Sequence, residues 1–89
     1  MIDMTDPQGT LQMQPTGRWA IAAPGREPVT IPVGEIFMLE VPGTRELKRA
    51  RMEQHPGSGE YYVVQGYSLR EGLRAGFYDQ RERYARKLE

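Results

Sequence analysis

Arg45-Glu-Leu-Lys-Arg-Ala-Arg-Met-Glu-Gln-His-Pro-Gly-Ser-Gly-Glu-Tyr-Tyr-Val-Val-Gln-Gly66 reads as two β-strands folded back on each other. In Lys48–Gln54, Ala50 and Met52 fall on one face, and Arg49, Arg51 and Glu53 on the other, the alternation of a half-buried strand. Tyr61, Tyr62, Val63 and Val64 are aromatic or β-branched, the types that strands favour. Between the runs, His55-Pro56-Gly57-Ser58-Gly59 supplies the fixed φ of proline and the positive φ that glycine tolerates, which a reversal needs. The spacing predicts an antiparallel pairing of 48–54 with 60–65. In the simplest register Tyr62 and Val64 share the Ala50/Met52 face, and Tyr61 and Val63 share the Arg49/Arg51 face. A slip of one residue exchanges the two faces.

Further strands are predicted on both sides of this hairpin. Gly17–Ala23 carries Trp19 and Ile21 on one face, and Trp19, the chain's single tryptophan, is expected to be buried. Pro24-Gly25 has the composition of a type II turn. Pro28 and Pro32 flank Val29–Ile31, and proline lacks the N–H that a central strand donates, so this piece is an edge segment. Val33–Val41 is the most apolar run, with Phe37, Leu39 and Val41 on one side and Ile36 and Met38 near the other. Apolar residues on both faces mean a strand covered on both sides or bent across a small barrel. Pro42-Gly43 is a second turn signal. Leu73–Tyr78 is a short last strand with Leu73, Ala75 and Phe77 on one face. Asp79 and Glu82 then form a capping box, and Tyr84 and Leu88 lie one turn apart, which predicts a short C-terminal helix.

These pieces assemble into a mainly β domain: an antiparallel meander of four or five strands, coiled into a small barrel, with a short C-terminal α-helix. The expected division is a flexible N-terminal arm at 1–16, in which Leu11 and Met13 alternate with polar neighbours and leave room for a short edge strand, a β-barrel domain at 17–78 and the helix at 79–89. The expected core is Trp19, Ile21, Phe37, Leu39, Ala50, Met52, Tyr62, Val64, Leu73 and Phe77.

Gly17-Arg18-Trp19-x-Ile21, Gly34-Glu35-x-x-x-Leu39-Glu40-Val41, Arg51-Met52-Glu53, Tyr61-Tyr62-Val63-Val64 and Leu73-x-Ala75 together resemble a family of small uncharacterised bacterial domains, often encoded near plasmids, phages or other mobile elements. The likeness covers Gly17–Tyr78. It implies an SH3-like barrel, no established activity and no functional residues to carry over.

Eighty-nine residues make one domain at most, and formal net charge is zero, which argues against a protein dominated by polyanion binding. The chain has no cysteine, so it holds neither a disulfide nor a thiolate metal site. With no leader-like apolar run and no stretch near the ~20 residues of a membrane span, a cytoplasmic protein without membrane contact is expected. No catalytic, metal or cofactor residues are assigned. His55, the single histidine, reads as an exposed turn residue with no third group to orient it. The glycines of 57–59 are followed by neither a helix nor a lysine, so they do not cradle phosphate.

Two non-enzymatic roles are open to such a domain. The first is an accessory or protein-interaction domain for an unidentified protein partner or a second copy, using surface residues such as Ile36, Met38, Tyr61, Val63 and Tyr67. The alternative is weak nucleic-acid binding, with Arg49 and Arg51 lying beside Tyr61 on one strand face and Arg45 and Lys48 nearby.

Overall fold

The structure, a computed structural model, describes residues 9–78. The expected C-terminal helix at 79–89 and residues 1–8 of the expected arm lie outside the described residues. Among the described residues there are seven strands: β1 (Gly9–Met13), β2 (Trp19–Ala22), β3 (Val29–Thr30), β4 (Ile36–Glu40), β5 (Leu47–Gln54), β6 (Tyr61–Val63) and β7 (Arg74–Phe77). They form one antiparallel sheet in the order β3-β2-β1-β7-β4-β5-β6. Among the described residues no helix is long and apolar enough to cross a membrane.

The local chemistry accounts for most of the strand breaks. Pro24-Gly25 turns with Arg26 N–H donating to the Ala23 carbonyl at 3.2 Å, and Pro42-Gly43 with Thr44 N–H donating to Val41 at 3.1 Å. Both glycines hold positive φ, 76° and 83°, in the third position of a type II turn. β3 sits at the edge of the sheet between its two prolines, where the missing N–H groups cost no ladder bond.

Three expectations are corrected. Gly9–Met13, expected within the arm, is β1, and it pairs with β2 on one side and β7 on the other. Of its two apolar residues, Leu11 is buried opposite Ile21 and Met13 is exposed opposite Trp19. Backbone pairing on both sides holds a strand whose own pattern is thin. Gly9 fits because a Cβ there would run into the Ala22 carbonyl oxygen. The second correction is the hairpin register. β5 and β6 pair as expected, but Met52 faces Val63, Glu53 faces Tyr62 and Gln54 faces Tyr61. Val63 therefore joins Ala50 and Met52 inside at 1% exposure, while Val64 is 48% exposed. The third is closure. β3 and β6 end the strand order without hydrogen-bonding to each other, so the sheet is not a closed barrel.

The sheet is nevertheless curled. Laid flat, seven strands about 4.8 Å apart would leave both faces in water. Here Leu11, Ile21, Ile31, Phe37, Leu39, Ala50, Met52, Val63 and Ala75 gather into one cluster, drawn from nearly every strand. One face is turned inward upon itself. Of the expected core, Ile21, Phe37, Leu39, Ala50 and Met52 are buried, while Trp19, Leu73 and Phe77 are half-buried against the cluster. Met38 points away from it and is still only 6% exposed, which explains why β4 is apolar on both faces. Arg74 ties β7 to the β4–β5 end: its backbone N–H donates to Glu40 Oε1 at 3.0 Å and its Nη2 to the Arg45 carbonyl at 2.9 Å.

Candidate binding groove

The open seam of the curled sheet brings the start of β2 close to the start of β6. Two turns frame it. In Gln14-Pro15-Thr16-Gly17, Gly17 N–H donates to the Gln14 carbonyl at 2.9 Å, with proline second and a positive-φ glycine last. This delivers Met13 and Trp19, paired across β1 and β2, to one rim. At the hairpin tip His55 N–H donates to the Glu60 carbonyl at 2.8 Å, and Gly59 N–H to the His55 carbonyl at 2.9 Å. Ser58 Oγ accepts from Glu60 N–H at 3.2 Å and Gln54 Nε2 donates to the Gly59 carbonyl at 3.0 Å. The tip is thus pinned by its own polar groups, and it presents Glu60, Tyr61 and Tyr62 to the other rim.

Between the rims lies an open groove of about 510 Å³, walled chiefly by Met13, Trp19, Tyr61, Tyr62 and Tyr67, with Glu60 at its edge. That volume suits a side chain or short peptide segment. Tyr61 is held from within the chain: the Arg18 guanidinium carbon lies 5.4 Å from its ring centroid, and Arg18 Nη2 donates to the Ile31 carbonyl at 3.2 Å. One arginine therefore bridges the β2–β3 end of the sheet to β6. Tyr62 is stacked by His55, ring centroids 4.1 Å apart and planes 16° from parallel. The rings are positioned by the fold before any ligand arrives.

Protein-family models, curated proteins and solved structures were compared with this chain, and none matches.

The three residues of the expected nucleic-acid face are separated. Arg49 and Arg51 lie on the outer face of β5 and are exposed, whereas Tyr61 pairs with Gln54 and belongs to the inner side. The one-residue shift in register is the cause. Arg51 Nε is 3.1 Å from Glu53 Oε2, and the Arg49 guanidinium lies 5.4 Å over the Tyr78 ring. Lys48 is 3.7 Å from Glu46. Of the expected interaction residues, Met38 and Val63 are buried, while Tyr61 and Tyr67 both line the groove. His55 is exposed, as expected, and its ring serves Tyr62.

Local sequence pattern does not reveal the groove as a unit. It places Trp19 in the core and Tyr62 beside Met52. What unites them is that the β1–β2 turn and the hairpin tip, far apart in sequence, face each other across the groove, and no local pattern reports such an apposition.

Proposed function

We propose that this protein is a non-enzymatic interaction domain that holds a segment of a protein partner in the aromatic groove. The observation that supports this most is the convergence of Trp19, Tyr61 and Tyr67 around one open concavity, with Tyr62 at its margin. Large, rigid, amphipathic rings give contact area at low entropic cost, which is why aromatic residues dominate the energetics of interfaces. The same reading takes the curled sheet as a small barrel of the SH3-like kind, left open between β6 and β3. Its coiling around a single core supports that. A reducing, cytoplasmic setting accords with the cysteine-free composition.

Nucleic-acid binding is the weaker alternative. Aromatic rings would stack bases well, but among the described residues the groove's lining has a carboxylate, Glu60, and no lysine or arginine to meet phosphates. Arg49 and Arg51 lie on the outer face of β5, which Tyr62 shares, and Arg51 is already paired with Glu53. Catalysis has less support: Ser58 Oγ accepts a backbone N–H, and His55 is spent in stacking.

A photo-cross-linking side chain tests the two readings side by side. It is placed at Met13, 39% exposed on the groove rim, or at Arg51 on the outer face, in protein expressed in the native host. The expected result is nuclease-resistant protein adducts from position 13 and few from position 51. Nucleic-acid adducts concentrated at position 51 would reverse the ranking.

A further inference from the structure

We propose that the groove selects a cationic side chain, lysine or arginine, presented by an extended segment of the partner. This rests on the groove being the interaction site and adds the partner's chemistry. Three observations carry it.

The walls are π-rich. Trp19, Tyr61 and Tyr67 present rings whose faces bear negative potential, with Tyr62 at the margin, its ring turned to the Glu53 side and stacked on His55, and cations held over such faces gain about 0.5–2 kcal/mol. Among the described residues the charged member of the lining is Glu60, and no basic residue lines the groove. The Glu60 backbone is fully used in the hairpin tip, yet its carboxylate has no ion-pair or hydrogen-bond partner among the described residues. The molecule also shows the chemistry in miniature: Tyr61 already carries a guanidinium, that of Arg18, at 5.4 Å. Arg18 donates to the Ile31 carbonyl and is not among the groove-lining residues, so it leaves Glu60 to an incoming charge.

Other ligand classes fit less well. A phosphate or carboxylate entering the groove meets Glu60 with no compensating cation. A neutral apolar segment gains the ring contacts but strips water from Glu60 without replacing it, which costs free energy. A lysine or arginine satisfies both the rings and the carboxylate, and an extended backbone lets it reach between the rims.

Trp19 supplies the readout, because the chain has one tryptophan and it lines the groove. The full chain is titrated with three peptides of equal length, alternating arginine–glycine, glutamate–glycine and proline–glycine, and with single-stranded oligothymidylate. The expected result is a saturable change in Trp19 fluorescence with the arginine peptide alone, weakening as salt is raised. Glu60→Gln, at an exposed position and expected to fold as the parent does, should weaken binding about two- to fivefold. Tyr67→Ala should weaken it about tenfold. If the proline peptide binds as well as the arginine peptide and Glu60→Gln changes nothing, selection for a cation is overturned while the groove stands as a protein site. If no peptide moves Trp19 fluorescence, or only the oligonucleotide does, the protein-interaction reading falls and this proposal with it.

Discussion

The two edges of the sheet are finished in different ways. At β3 the edge is blunted by backbone chemistry: two residues of strand, bracketed by Pro28 and Pro32, offer little for another strand to pair with. At β6 no proline intervenes, and the edge is finished with side chains. Val63 is buried, Tyr61 is capped by Arg18, and Tyr62 is stacked by His55. A proline edge is inert. An aromatic edge that must be covered by side chains from elsewhere creates a concave, ring-lined surface as it is covered. The groove is thus a by-product of how an open sheet protects its second edge, and function is proposed at the edge that is not simply capped off.

Substitutions can break or sharpen this contrast. The centre sets the scale. Phe37 is fully buried and paired on both sides, with Ala50 and with Phe77, so Phe37→Ala should cost about 3–5 kcal/mol and leave most of the protein unfolded in equilibrium denaturation. Trp19 comes next. It is half-buried and packs against the core from the groove side, so Trp19→Ala should cost about 2–3 kcal/mol, measurably less than Phe37→Ala. Equal losses would mean that Trp19 is a core residue first and a groove residue only incidentally.

Arg18 tests the aromatic edge directly. Arg18→Ala removes the cation over Tyr61 and the hydrogen bond to Ile31, for a loss of about 1–2 kcal/mol. It should also speed amide exchange in Tyr61–Val63 more than in β4. Unchanged exchange there would show that the seam is held by the core alone. The proline edge should give the smallest change in stability. Pro28→Thr with Pro32→Thr is expected to shift stability by under about 0.5 kcal/mol. It should, however, promote concentration-dependent association in sedimentation, because an edge strand regains donors. A monomer at every concentration would show that the brevity of β3, and not its prolines, keeps that edge inert.

The hairpin, its turn, β2, β4, β7 and the edge character of the proline segment are all legible in the sequence, because each advertises itself locally by alternation or by turn residues. The hairpin register is not. Tyr61-Tyr62-Val63-Val64 is apolar at four successive positions, so either face could turn inward, and only the burial of Val63 decides it. β1 is legible only as the alternation of Leu11 and Met13, which allows a short edge strand; with Gly9, Thr10 and Gln12 among its five residues, its stability comes from neighbours on both sides, which makes it an inner strand. The site is legible only as scattered aromatics. Tyr61 stands out in the sequence as a residue near the surface, but the simplest register gives it the wrong neighbours, Arg49 and Arg51.

β1 and β7, the first and last strands of the described chain, are adjacent in the middle of the sheet. On the ribosome this order has a consequence. β1 is made first, and β2 can pair with one of its edges at once. The other edge waits for β7, which emerges only after every other strand. Until then the nascent sheet is in two halves, β3-β2-β1 and β4-β5-β6, with no strand ladder to join them. Such late, long-range closure slows folding and leaves strand edges open during synthesis. A nascent chain stalled before Arg74 should therefore remain protease-sensitive throughout, and protection should arrive in a single step once β7 clears the exit tunnel.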